Sequence, residues 1–195
     1  MAQTAARSII LVRHGRSALR LPRQVTSAAV RRTARRYEET GIRPTPPPSM
    51  ELRQHARAAA VVACSDTPRS IESARLLTDT RDLLIDPVFR EAGIPLRVPL
   101  PLRLSFDAWI VVGYVAWFLD LSAGGESLAA ARRRAATAVR RLTRLSNQHR
   151  SVMLVGHGVF NSLIALQLRR TGWSGPVWNP AAAHWTFACY SKPLV

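Results

Sequence analysis

Lysine is almost missing from this chain. Lys192 is the only one in 195 residues, yet 28 basic residues stand against 12 acidic ones for a formal net charge of +16. The positive charge is therefore nearly all arginine, scattered from Arg7 to Arg170. Such scatter argues a compositional bias rather than a nucleic-acid groove, since net charge alone speaks to solubility and non-specific binding. Cysteine is nearly as scarce. Cys64 in "VVACS" and Cys189 in "WTFACY" lie inside apolar runs, which excludes a disulfide framework, and no His, Asp and Cys cluster has metal-ligand spacing. Long apolar runs are also lacking. The longest, Ala108 to Leu121, contains Asp120 and is too short to span a bilayer, and the N-terminal apolar stretch meets Arg13 and His14 too soon for a signal-peptide core. A cytoplasmic protein is expected, with no specific nucleic acid and no membrane among its partners. There is no Walker loop, no G-x-G-x-x-G and no G-x-S-x-G, which argues against nucleotide-kinase, Rossmann and serine-hydrolase chemistry.

What is present suits a globular domain: 47% hydrophobic and 21% charged residues in a length typical of one core. Continuous apolar runs at 8 to 12, 60 to 65, 83 to 89, 151 to 156 and 184 to 190 suit strands buried on both faces, as in a parallel sheet. Helical segments lie between them, at Val25 to Thr40, Arg69 to Leu77, Leu128 to Leu145 and Val159 to Thr171. The alternation predicts an α/β fold with a mostly parallel central sheet. The prolines at 42 to 49 mark a stiff loop. Residues from about 94 to 125 form a lid-like insertion within a single domain spanning 1 to 195, and its short apolar helix is a candidate homodimer contact. The Leu128 helix carries apolar residues at helical spacing, with its arginines read as a solvated face.

Two histidines occupy the same local setting. In "SIILVRHGRSALR", His14 follows a strand directly, and in "SVMLVGHGVFNSLIALQL", His157 does so ahead of a helix. If the strands are parallel neighbours, both histidines reach the C-terminal sheet edge, where α/β folds bind ligands, and the helix start at Gly158 would favour an anion. Flanking cations disfavour imidazolium, so His14 would be a neutral nucleophile. Arg69, early in "SDTPRSIESARLL" with Pro68 at the helix start, would lie near the same edge. It could clamp phosphate with Arg13 by forked hydrogen bonds. A proton donor for the leaving oxygen is also required, and Glu91 in "DPVFREAGIP" is one candidate beside Asp66, Asp86 and Glu126.

The ordered set resembles the histidine phosphatase superfamily, the phosphoglycerate-mutase-like or RHG proteins. It comprises Arg13-His14-Gly15, Ser65 to Ala74 like the family's S-x-x-x-R-[AS]-x-x-[ST]-A, Phe89-Arg90-Glu91 in the place of L-R-E, "GGES" at 124 to 127, and Val155 to Gly158. The resemblance implies a three-layer α/β/α sandwich and a metal-independent phosphatase without cofactor. His14 would attack the phosphorus of a small phosphorylated substrate to form a phosphohistidine. Arg13, Arg69 and His157 would hold the phosphate together with Gly158, and Glu91 would act as the acid. Arg16 and Ser17 are candidates for substrate contact. Mutases of the family carry an Asn six residues after the nucleophile; here Arg20 stands there, and "ELRQHA" replaces their Gly-x-x-Glu-Ala. A mutase and a catalytically idle binding module are the alternatives to the phosphatase.

Overall fold

The computed structural model describes residues 6–43, 45–79, 82–93, 102–119, 125–179 and 183–194. The run Ile9 to Val12 has no polar side chain and is buried throughout, at the centre of strand β1 (Ala6–Arg13). In chain order there follow β2 (Val25–Thr26), α1 (Ser27–Glu39), α2 (Met50–Ala58), β3 (Val61–Cys64), α3 (Pro68–Leu77) and β4 (Leu84–Ile85). After a 3₁₀ turn at Pro87–Phe89 come β5 (Arg103–Leu104), α4 (Phe106–Phe118), α5 (Leu128–His149), β6 (Ser151–Gly156), α6 (Gly158–Arg170) and β7 (Phe187–Pro193). Thr26, Ser49, Ser105 and Ser127 each accept a backbone N–H three residues on, which starts α1, α2, α4 and α5.

The main sheet has the order β4-β3-β6-β1-β7, parallel except for β7, which runs antiparallel to β1. Successive side chains of a strand point to opposite faces, and that alternation builds two cores. Ile9, Leu11, Ala63, Val152 and Leu154 pack with α5 and α6 on one side. Ile10, Val12, Val62, Cys64, Met153 and Val155 pack on the other with Leu52 and Ala56 of α2 and Ala74 and Leu77 of α3. The result is the three-layer sandwich with a mostly parallel sheet. A smaller cluster joins α1, α4 and the β2–β5 ribbon around Val25, Val30, Phe106 and Trp109, where Trp109 Nε1 donates to Val25 O at 2.8 Å.

Several elements differ from expectation. Val25 and Thr26 are strand rather than helix, because they pair with Leu104 and Arg103. Helix α2, directly after the prolines, is additional. The run at 83 to 89 keeps only two residues in the sheet, since Pro87 turns the chain. The final strand starts at Phe187, three residues later than predicted. Of the 94–125 insertion, 94–101 and 120–124 lie outside the described residues, while 102–119 form β5 and α4. Both cysteines are free: Cys189 is exposed, and Cys64 is buried with its thiol pushed up to about 12 by burial. Among the described residues no helix is long and apolar enough to cross a membrane.

Candidate active site

Strand register brings the two histidines together. Arg13 is paired with Gly156 across β1 and β6, so the next residue on each strand, His14 and His157, leaves the sheet side by side. Their ring centroids are 5.1 Å apart, edge to face, and both residues are almost wholly buried at 3% and 1% exposure. Gly156 is glycine for a local reason: a Cβ there would lie 2.6 Å from Oδ1 of Asn161, whose Nδ2 donates to Val12 O at 3.1 Å.

His14 Nδ1 is 2.7 Å from Gly15 O. A carbonyl only accepts, so Nδ1 carries the proton and Nε2 keeps its lone pair. Burial holds the His14 pKa well below the ordinary histidine value, and the charges of Arg69 and Arg13 push it the same way. Neutral imidazole with a free Nε2 is the nucleophilic form. Gly15 N donates to Ser73 Oγ at 2.8 Å, and Ser73 Oγ donates to Arg69 O at 2.6 Å, which ties the histidine turn to α3.

His157 is held from three directions. Ser65 Oγ lies 2.8 Å and Ser70 Oγ 3.4 Å from its Nε2, and Arg69 Nη2 lies 3.4 Å from its Nδ1. Burial again depresses its pKa well below normal, reinforced by Arg69 and His14. Arg69 itself is 1% exposed. Its Nη1 donates to Tyr37 O at 3.0 Å, its guanidinium stacks 4.7 Å over the Tyr37 ring, and Glu38 Oε1 is 3.6 Å from Nη2. Its Nε is buried and has no partner among the described residues. A buried guanidinium with an unused N–H is a ready contact for an anion.

Glu91 caps α6. Its carboxylate accepts from Phe160 N at 2.7 Å, Ala92 N at 3.0 Å and Val159 N at 3.3 Å. These bonds favour the charged form, yet burial outweighs them and raises the pKa above the usual carboxylate value. The other candidate acids are engaged elsewhere. Asp66 forms a forked pair with Arg90 at 2.5 and 2.6 Å, Asp86 pairs with Arg141, and Glu126 pairs with Arg134 at 2.6 Å. Gly158 opens α6, and its carbonyl accepts from Trp178 Nε1 at 3.0 Å. Arg16 is exposed at the rim, and its carbonyl accepts from Arg43 N at 2.7 Å. Ser17 is buried, bridges to Ile42, and accepts Leu19 N at 3.2 Å, so its hydroxyl shapes the loop.

Three further residues stand at the site. His184 lies in the turn before β7 with its ring 5.6 Å from His14, and burial, Arg13 and Arg16 bring its pKa down to about 4. It borders a groove of about 380 Å³ shared with Pro46, Pro47 and Ser49. Tyr114 of α4 is a half-buried phenol whose pKa is raised by burial and which feels the charges of Glu91, Arg13 and Arg69. Arg134 of α5 lies 3.8 Å over the Phe160 ring. It donates to the carbonyls of Val88 at 2.9 Å, Arg90 at 2.7 Å and Glu91 at 3.2 Å, gripping the loop that carries Glu91. Among the described residues no group of His, Cys, Asp and Glu could hold a metal ion.

Known proteins share this arrangement of elements. Mycobacterial glucosyl-3-phosphoglycerate phosphatase has a similar structure, with a TM-score of 0.60 at 20% identity over 95% of this chain and 90% of that one. Phosphoserine phosphatase from Entamoeba histolytica superposes with a TM-score of 0.58 at 13% identity over 96% of this chain and 95% of that one. At such identities the likeness is one of fold. No curated protein sequence matches the chain. The family model of the histidine phosphatase superfamily (branch 1) matches residues 9–186, from β1 to the turn before β7. The chain belongs to the histidine phosphatase superfamily, branch 1, which places it with the phosphoric monoester hydrolases.

Proposed function

We propose that the protein hydrolyses a phosphomonoester of a small molecule through a phosphohistidine. The observation that carries this reading is His14: a buried, neutral imidazole, protonated on Nδ1 by the pull of Gly15 O, beside the unused Nε of Arg69. In the first step Nε2 forms a bond to phosphorus as the bond to the ester oxygen breaks, and Glu91 delivers its proton to the departing alkoxide. Arg13, Arg69 and the N-terminal turn of α6 at Gly158 offset the charge on the equatorial oxygens. The incoming dianion counters the effect of Arg69 on His157, so His157 takes a proton from solvent as the substrate enters, donates a hydrogen bond to phosphate, and returns the proton when phosphate leaves. In the second step the Glu91 carboxylate takes a proton from water, the water oxygen bonds to phosphorus, the N–P bond breaks, and inorganic phosphate leaves. Protons and electron pairs balance without a cofactor. The structural relatives whose names denote phosphatases of phosphorylated metabolites support hydrolysis. We assign the remainder of the substrate to the groove beside His184, with Arg16 as a further candidate contact.

A panel of phosphorylated metabolites with phosphate release as the readout tests the reading and finds the substrate. The wild type should yield an acid-labile, base-stable phosphoenzyme with the best substrate, and His14→Ala should yield none. Undiminished hydrolysis by His14→Ala would overturn it.

A further inference from the structure

Helix α4 is apolar on both sides. Phe106, Trp109, Gly113 and Trp117 face inward and are buried. Val111, Val115, Phe118 and Leu119, spaced to share one side of a helix, are instead 53% to 62% exposed. A surface helix ordinarily turns polar residues to water, and one that is apolar all round is ordinarily enclosed. An exposed apolar patch on a helix of this kind marks a contact surface.

The helix packed beside α4 is strongly cationic. Helix α1 packs against α4, with the Tyr37 and Phe106 rings 5.9 Å apart, and it exposes Arg31, Arg32, Arg35 and Arg36. Segments 18–43 and 102–119 together carry eight arginines against Glu38, Glu39 and Asp107. A second copy of the chain pairing through α4 would set this arginine-rich region against itself, and juxtaposed like charges oppose association. A nucleic acid would satisfy the arginines but leave the apolar stripe in water. An anionic bilayer meets both requirements at once, taking the stripe at the acyl boundary and the guanidinium groups at the headgroup phosphates.

We propose that the α1–α4 face docks the protein on anionic membrane surfaces as a peripheral, non-spanning contact. The sequence expectation of no membrane partner rested on the lack of a spanning run, and no helix among the described residues spans. The docking stripe is invisible in sequence because two apolar faces on one short helix read as a single buried run. Docking does not depend on the catalytic reading, and its test is separate.

Vesicle co-sedimentation of the full chain distinguishes the outcomes. The protein should pellet with vesicles of phosphatidylcholine and phosphatidylglycerol in equal parts, remain in the supernatant with phosphatidylcholine alone, and release as salt rises. Each exposed arginine near the surface is worth on the order of fivefold in affinity, so the Arg31→Gln/Arg35→Gln variant should bind roughly 30-fold more weakly. The Val111→Ser/Val115→Ser variant should also lose binding while keeping its thermal unfolding midpoint, because both positions are exposed. Three results would overturn the proposal. One is no pelleting with the mixed vesicles. Another is undiminished binding by the Val111→Ser/Val115→Ser variant, which would leave only arginine attraction to any polyanion. The third is a dimer in sedimentation equilibrium that the same substitutions dissociate, which would assign the stripe to a second copy.

Discussion

Ser65 Oγ accepts the Nε2 proton of His157 at 2.8 Å, while Arg69 Nη2 donates to Nδ1 of the same ring at 3.4 Å. A guanidinium has no acceptor, so the two contacts define one tautomer and one orientation. Ser65 stands one residue beyond β3, and His157 one residue beyond β6. The neighbouring strand ends thus orient each other's chemistry.

Replacing Ser65 with alanine removes the close partner at Nε2 and leaves Ser70 there at 3.4 Å, with Arg69 Nη2 still on Nδ1 at 3.4 Å. Losing one buried hydrogen bond costs about 1.4 kcal/mol, or about tenfold in rate. Steady-state kinetics of Ser65→Ala should show that fall in kcat with KM nearly constant. Full kcat would show that Ser65 does not position His157.

The pH dependence follows from two groups displaced in opposite directions. In the proposed mechanism the first step requires protonated Glu91, whose pKa burial raises, and neutral His14, whose pKa burial and Arg69 lower. Activity limited by this step therefore falls as pH rises through the Glu91 value and falls again as pH drops through the His14 value. Glu91→Gln should be slower by about 10²- to 10⁴-fold and should lose the alkaline limb while keeping the acid one. An alkaline limb that persists in Glu91→Gln would contradict the assignment of Glu91.

Gly15 is pressed by an aromatic ring. A Cβ there would lie 2.4 Å from Cζ2 of Trp185, whose indole N–H is held by Pro46 O at 2.9 Å. Overpacking of this kind costs about 1 to 3 kcal/mol, so Gly15→Ala should lower the urea midpoint accordingly. Adding Trp185→Leu should return part of the loss, because the clash partner is gone. A double variant no more stable than the sum of the two single losses would place the strain elsewhere.

Arg134 is a positioning residue for the Glu91 loop. Its Nε and Nη2 fork onto Glu126 at 2.7 and 2.6 Å while Nη1 and Nη2 reach three loop carbonyls. Arg134→Leu strands those acceptors and should destabilise by about 2 to 4 kcal/mol in denaturant melts. Arg134→Lys keeps the charge but not the fork. It should fold and show a lower kcat with a displaced alkaline limb, since the environment of Glu91 changes. An unchanged pH profile in Arg134→Lys would reduce Arg134 to a stability role.

Strands buried on both faces announce themselves, which is why β1 and β6 and the histidines after them are readable from the chain alone. Each is an unbroken apolar run that stops abruptly at the site. Helix α2 gives a weaker signal, because only Leu52 and Ala56 of its nine residues are buried. His184 is hidden for a different reason. The segment "HWTFACY" has every mark of a strand, and its first residues form a turn only because Trp185 takes φ 65 with its ring against Gly15 and its N–H on Pro46. Those contacts come from distant parts of the chain. Arg134 is the last of three consecutive arginines, and only the phase of α5, with Ala131 and Ala135 buried beside it, separates it from its solvated neighbours.

Cys64 immediately precedes Ser65 at the end of β3 and keeps its thiol protonated and covered, whereas Cys189 on the edge strand β7 is open to solvent. The pair forms an internal clock. Cys189 is reachable by an alkylating reagent in the folded chain, although burial and Glu51 raise its thiol pKa, whereas Cys64 reacts only in molecules whose sheet edge has opened. The slow phase of labelling therefore times the breathing of the sheet edge behind His157, and its lengthening with bound phosphate would register occupancy with no chromophore and no turnover.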